Sequence, residues 1–389
     1  MLDGVRVALG VTGSIAAVKT IELAHELRRR GARVRGVMTD SAQGIIHPWA
    51  LEFATENPVV TELTGRVEHV ELCGRDGWAD VFLIAPATAN TVGKIAAAID
   101  DTPVTTTATT ALGADVPVVV SPAMHEPMYD HPGVLDAIER VESWGVEFVP
   151  PRIEEGKAKI ADIDAIVLDT ARATGAHDLA DERIVVTSGA TSEAIDPVRV
   201  LTNRSSGKTG RAVARACYAR GADVTLVHDD SSVPYADVEH VESAAEMLAG
   251  VKGAIADADA LVSAAAIGDY TVEASDEKIR SGQELSLALE PTPKVLDAVR
   301  DVRPKLPIVG FKTETSGVDE EMIRAARETL SRAGLTFVVA NDASVMGENE
   351  TRALVVREEE VESYDGDKAG LGARVAEELA GELAESSST

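Results

Sequence analysis

The chain has 389 residues, 65 of them acidic and 37 basic, so its formal net charge is −28. At about 100 to 200 residues per domain the length implies two or three domains, and an apolar content of 45% fills their cores, which excludes a disordered acidic tail protein. The charge excludes a binder of nucleic acid, whose affinity comes largely from Lys and Arg, and leaves only a locally basic pocket to hold a phosphorylated ligand.

The acidic residues are spread along the whole chain, and only 11 of the basic ones are Lys. A dispersed, Lys-poor acidic surface suits a protein kept soluble at very high salt, where self-repulsion is screened, so a halophilic origin is expected. Cys73 and Cys217 lie in opposite halves and give no disulfide framework, which fits a reducing compartment. The opening MLDGVRVALGVTGS runs straight into a strand pattern with no basic and apolar leader. No stretch approaches the roughly 20 apolar residues of a membrane span. A soluble, cytoplasmic protein without a membrane partner is the expectation.

Short β-branched runs alternate with helical periodicity, the pattern of βαβ units around a parallel sheet. Val5 to Val11 reads as a buried strand, Ile15 to Arg30 as a helix closed by Gly31, and Arg33 to Met38 as the next strand. Val81 to Ala85, Val116 to Val120 and Val146 to Val149 follow as strands, with helices at Thr91 to Ala98 and Val134 to Ser143. This is α/β, a flavodoxin-like doubly wound parallel sheet. After the polar stretch Thr174 to Glu182 the grammar restarts. Ile184 to Thr187, Val224 to Val227, Ala260 to Ala264, Ile308 to Gly310 and Phe337 to Ala340 read as strands, with helices near Gly210 to Arg220 and Glu320 to Ala333. A second, Rossmann-like α/β domain results, with the division at 1–178 and 179–389. Ser275 to Glu290 breaks the pattern as a charged excursion, either an active-site lid or a surface insertion. The closing ESSST is expected to fray.

Ligands of doubly wound sheets sit beyond the carboxyl ends of the strands, where helix N-termini favour anions. LGVTGSIAAVK puts Gly13 and Ser14 at such a place, and VMTDSAQ adds Thr39 and Ser41 after the neighbouring strand. The motif is not GxGxxG, so a mononucleotide phosphate suits it better than a dinucleotide. APATANT, with Thr88 and Asn90, and SPAMHEPMY, with Met124, are Pro-broken turns of small residues that let a flat ring approach the backbone. Together with VEHVEL and KIAAAIDD, these motifs resemble the flavin-dependent cysteine decarboxylase family from residue 5 to about 170, of the type acting on phosphopantothenoylcysteine. The resemblance implies FMN on Gly13, Ser14, Thr39 and Ser41, with help from the turns holding Thr88, Asn90 and Met124, and it puts His69 at the family's catalytic base. A flavin answers a chemical need: loss of CO2 from a cysteine carboxylate leaves a carbanion with no electron sink until the thiol is oxidised to a thioaldehyde. Two departures stand out. His125 occupies the place of an Asn and remains a donor to the substrate carboxylate, while Tyr129 replaces a Trp. The segment PPRIEEGKAKIAD lacks the Cys that many members use as proton donor, leaving Lys157, Lys159 and Cys73 as alternatives.

TSGATSEAIDPVRVLTNRSSGKTG is the densest motif of the second half. Its SGKT ends like a P-loop, but Thr202 stands where GxxxxGK[ST] needs Gly, so it reads as a Gly- and hydroxyl-rich phosphate cradle leading into a helix near residue 207, with Arg204 and Lys208 close by. SAAAIGDY, EKIRSG, TPKVL, GFKTET and VANDAS follow at later strand ends. These motifs resemble the phosphopantothenate–cysteine ligase family over nearly the whole second half. The resemblance implies activation of the phosphopantothenate carboxylate by CTP, then attack by cysteine. It assigns Asn203 to the acyl cytidylate, Lys278 to the transferring phosphoryl group, Arg199 to the substrate, and Asp269, Pro293, Lys294, Val295, Leu296 and Phe311 to the CTP site. Asp269 is also the expected contact of Mg2+ on the triphosphate. Two lysines usual before VAND fall on Thr329 and Ala333, with Arg327 and Arg332 as replacements.

The chain is thus expected to make 4'-phosphopantothenoylcysteine from 4'-phosphopantothenate and cysteine with its second half and to decarboxylate it with its first. The alternative is a ligase with an impaired, regulatory flavin-binding domain. The resemblance also implies a homo-oligomer of trimeric flavin domains and dimeric ligase domains. Since FMN, CTP and phosphopantothenate are all anions, the scarce basic residues should gather at the sites, with Lys208, Lys278, Lys294 and Lys312 as test cases. Both melting temperature and activity are expected to rise through a KCl series; flat curves would count against a salt-adapted surface.

Overall fold

From Val7 to Val11 every residue of the strand Arg6–Val11 is buried, as a strand covered by helices on both faces requires. The fold is a computed structural model, described for residues 1–282, 284–314, 318–342 and 350–387. Gln283 of the excursion, Ala343 and Ser344 of VANDAS, and Ser388 and Thr389 lie outside the described residues. The chain divides into two compact units, residues 1–175 and 176–389.

The first unit is built on a parallel sheet of five strands in the order Arg33–Met38, Arg6–Val11, Val81–Ala87, Val118–Pro122 and Glu147–Phe148. This is the flavodoxin-like order, with its reversal between the strands Arg6–Val11 and Val81–Ala87. Successive residues of the central strands serve opposite cores: Leu83 and Ala85 belong to one, Phe82 and Ile84 to the other. The expected helix Ile15 to Arg30 is two pieces, a 3-10 turn Ile15–Lys19 and an α-helix Thr20–Arg29. Such tight turns are common at helix starts, and here Ile15 and Val18 point outward at 79% and 55% exposure. The apolar stretch around His69 is a short helix, Glu68–Cys73, that the flanking valines did not announce.

In the second unit eight strands form one sheet in the order Asp237–His240, Asp223–His228, Arg183–Thr187, Ala260–Ser263, Ile308–Glu314, Phe337–Asp342, Glu350–Val356 and Val361–Asp367. The first six are parallel; Glu350–Val356 runs antiparallel to them, and Val361–Asp367, antiparallel to it, returns to their direction. The crevice of the reversal falls between Arg183–Thr187 and Ala260–Ser263, where Thr187 Oγ1 accepts from the amides of Ala264 and Ala265, both at 3.1 Å. The charged excursion is the loop of a hairpin whose arms, Tyr270–Val272 and Leu289–Pro291, pair antiparallel.

The reading of ESSST as frayed needs correction. A final helix, Lys368–Ser387, runs through Glu385 and Ser386, because Leu371, Val375, Leu379 and Leu383, four residues apart, bury one stripe and carry the last turns by packing. Phe82 is fully buried, and Phe82→Ala should lower unfolding stability by about 3–5 kcal/mol in a urea titration; a loss under 1 kcal/mol would show that its core collapses around the cavity.

Candidate active sites

Three helix starts meet the carboxyl end of the first sheet. Ser14 caps Ile15–Lys19, Thr39 caps Asp40–Gln43, and Thr88 caps Ala89–Ala96, each side chain accepting from a backbone amide of its own first turn. Thr39 Oγ1 and Ser41 Oγ are 3.0 Å apart. A Cβ on Gly13 would lie 2.4 Å from Ser41 Oγ, so only glycine lets the two loops close into one cradle. Thr12 ties this edge to the third strand, donating from Oγ1 to the Pro86 carbonyl at 2.8 Å and accepting from the Thr88 amide at 3.1 Å. Asn90 is exposed and Met124 half-buried at the two turns. Among the described residues, His69 Nδ1 and Ser121 Oγ are buried without a hydrogen-bond partner. A hydroxyl-lined, glycine-floored cradle at helix starts fits a flavin mononucleotide, with its phosphate on the amides and hydroxyls.

Beside this edge, strands Arg152–Glu154 and Lys157–Lys159 form a hairpin that pairs with Met124–His125, bringing His125 opposite Lys157. The three alternative proton donors separate here. Cys73 is fully buried, and burial pushes its thiol up to about 12. Lys159 is held by Glu154 and Glu155, each at 3.0 Å, whose hydrogen bonds raise its pKa. Lys157 is exposed on the hairpin.

At the carboxyl edge of the second sheet a cleft of about 460 Å³ is floored by Ser205 to Gly210 and Ser263 to Asp269. Gly207 enters the helix Lys208–Ala219 at φ +66, and its carbonyl accepts from the buried Ser188 hydroxyl at 2.8 Å. Asp269, Pro293, Lys294, Val295, Leu296 and Phe311 all line this cleft. Its charged lining is Lys208, Lys294, Lys312, Arg332 and Lys368 against a single carboxylate, Asp269. Lys294 Nζ meets Asp269 Oδ1 at 2.6 Å. Asn203 stands at the rim, donating to the Ala266 carbonyl at 2.6 Å and accepting from the Ser205 amide at 2.9 Å. One carboxylate suits a Mg2+ held mainly by phosphate and water; among the described residues no group of three or more His, Cys, Asp or Glu is placed to hold a metal.

Two expected residues stay outside. Lys278 is exposed on the excursion and does not line the cleft. Arg199 ion-pairs with the buried Asp196 and donates to the Ile279 carbonyl at 2.7 Å, so it anchors the excursion next to Lys278. The Arg199 guanidinium, with the amides of Val198, Arg199 and Ile279, holds the Asp196 carboxyl far below its usual range. Of the two replacement arginines, Arg332 reaches the cleft and Arg327 does not. Sequence reasoning missed Lys368, which carries no motif of its own.

His228 closes the strand next to the crevice. It is fully buried, with neither ring nitrogen hydrogen-bonded within the described residues. Burial, then the Arg211 charge, lower its pKa, while Asp230 and Asp229 oppose them and His240 adds to the lowering. Neutral His228 is favoured in the fold, so its contribution is complete above about pH 6.5 and is lost as pH falls, when the unfolded chain takes up the proton first. Urea midpoints should drop between pH 7.5 and 5.5 and drop less in His228→Phe; equal slopes would remove His228 from the account.

A sequence model of the family described as Flavoprotein matches residues 1–175, and one described as DNA/pantothenate metabolism flavoprotein C-terminal domain matches residues 179–383. A coenzyme A biosynthesis bifunctional protein CoaBC of Thermococcus kodakarensis is 50% identical over 362 residues, 91% of this chain and 89% of the relative. That of Methanocaldococcus jannaschii is 36% identical over 386 residues, 97% and 94% of the two chains. The crystal structure of a CoaBC C-terminal domain aligns at 28% identity and a TM-score of 0.46, covering 54% of this chain and 99% of that one. With both halves matched in order and nearly the whole length shared, the chain belongs to the family of coenzyme A biosynthesis bifunctional CoaBC proteins.

Proposed function

We propose that this chain catalyses two consecutive steps of coenzyme A biosynthesis, ligation of 4'-phosphopantothenate to cysteine in the second unit and decarboxylation of the product in the first. The observation that carries the reading is the second unit's cleft, where five cations face one carboxylate in a chain of net charge −28. A carboxylate is a poor electrophile, so ligation starts with its activation. The carboxylate oxygen attacks the α-phosphorus of CTP, the bond to the β-phosphate breaks, and pyrophosphate leaves with the electron pair. Lys208 and the amides after Gly207 hold phosphates at the helix start, Asp269 meets the Mg2+ that accompanies them, and Asn203 holds the acyl cytidylate. Lys278, exposed on the excursion that Asp196 and Arg199 anchor, is assigned to the transferring phosphoryl group by the family resemblance. The cysteine amine then attacks the acyl carbon and releases CMP.

In the first unit Gly13, Ser14, Thr39, Ser41 and Thr88 hold FMN, with Asn90 and Met124 at its edge. When bound, the flavin supplies a reversible two-electron oxidation of the substrate thiol. His69 accepts the proton lost in that oxidation, as an imidazole nitrogen can. His125 grips the substrate carboxylate. Replacing CO2 by hydrogen requires a proton on the carbon that lost it, and Lys157, exposed opposite His125, donates it.

Outward apolar side chains support assembly: Ile15, Trp49 and Phe53 are 79%, 74% and 76% exposed in the first unit, and Val198 and Tyr270 are 65% and 53% exposed in the second. We assign the first set to a trimer contact and the second to a dimer contact. No helix of the described residues is long and apolar enough to cross a membrane, and we place the enzyme in the cytoplasm with its small-molecule substrates. His69→Asn should retain FMN and lose decarboxylation by about 10²–10⁴-fold. In a single turnover Lys157→Met should release CO2 at near the native rate and retain the unsaturated thiol, read by mass, with the two electrons left on the flavin. Full decarboxylation by the first variant, or saturated product from the second, would overturn the respective assignment.

A further inference from the structure

The final helix has no part in the roles assigned so far, yet its first residue, Lys368, lines the cleft. The placement comes from the docking of two helices. Lys368–Ser387 lies against Lys208–Ala219, and at Gly372 the approach is so close that a Cβ would stand 2.6 Å from the Ala212 carbonyl carbon and oxygen. Glycine is required there for steric reasons. Both helices start at the carboxyl edge of the sheet, so they run the same way. One turn toward their starts from the Gly372–Ala212 contact lie Lys368 and Lys208, and both line the cleft.

The start of the helix is fixed as well. Asp367 Oδ1 accepts from the Gly370 amide at 2.7 Å, and the Tyr364 hydroxyl donates to the Asp367 carbonyl at 2.8 Å. The first turn holds no acidic residue, and Lys368 sits where the helix dipole disfavours a cation. Lys368 and Lys208 line the same cleft, each at the first position of its helix.

We propose that Lys368 is a catalytic residue of the ligation step, which binds the β- and γ-phosphates of the nucleotide beside Lys208 and stabilises the pyrophosphate as it departs. In that step the carboxylate oxygen bonds to the α-phosphorus while the α–β bridge breaks, and the new negative charge appears on the bridging oxygen of the leaving group. A cation delivered by a separate helix meets that charge without changing the Gly-rich cradle. This role rests on the proposed ligase reading, and the test separates the two.

The test measures pyrophosphate release from the full-length protein with 4'-phosphopantothenate, CTP and Mg2+, before cysteine is added, in wild type, Lys368→Met and Lys368→Arg. Lys368→Met is expected to lose about 10²-fold in the single-turnover rate of pyrophosphate release, with partial recovery in Lys368→Arg. Its melting temperature should stay at that of wild type. It should also bind tripolyphosphate more weakly while cytidine inhibits as before. Pyrophosphate release by Lys368→Met at the wild-type rate would overturn the role of Lys368 and leave the ligase reading intact. A loss of activity matched by a lower melting temperature would make Lys368 structural and also overturn the proposal. Failure of wild type to release pyrophosphate would instead sink the ligase reading.

Discussion

A chain of net charge −28 that handles phosphorylated substrates has to suspend its own repulsion at chosen points. Helix starts, whose amides favour anions, stand at the carboxyl edges of the parallel strands in both units. In the second unit four of the 11 lysines and Arg332 gather around one cleft. The rest of the site depends on this concentration: the floor is backbone, glycine and hydroxyl, and the charge comes from side chains on separate elements.

Close approach of backbones makes that convergence possible. Gly13 lets the first loop touch Ser41, and Gly372 lets the last helix press on Ala212. Caps do the rest, with Ser14, Thr39 and Thr88 each satisfying a helix start while presenting oxygen to the same edge. The excursion is anchored differently, by a buried carboxylate: Asp196 gathers the Arg199 guanidinium and the amides of Val198, Arg199 and Ile279 around one group. Because all of its donors are local to that anchor, the excursion keeps its base fixed while its charged loop remains exposed.

Much of this was legible in the residues. β-branched runs marked the parallel strands because a strand buried on both faces has no polar alternation to obscure it. Gly-hydroxyl loops marked the helix starts, and Asp269, the turn from Pro293 to Leu296, and Phe311 all line one cleft. The failures have physical causes. The helix Glu68–Cys73 is too short to show a period, and the closing helix looked frayed because its last residues are polar while its anchoring leucines lie upstream. Lys157, Lys159 and Cys73 stood as alternatives in the sequence; in the structure Cys73 is buried and Lys159 is engaged by two carboxylates.

By itself the sequence determined the two α/β halves, the Gly- and hydroxyl-rich loops at their helix starts, and the family, because these depend on local periodicity and on motifs contiguous in the chain. Only the tertiary structure decided which charges share a site. Lys208 and Lys368 are far apart in sequence and come together through one glycine contact between helices, whereas Lys278, inside a recognised motif, stays out on the excursion. The reason is that side-chain convergence is set by how helices and loops pack across the sheet, and no periodicity along the chain encodes that distance.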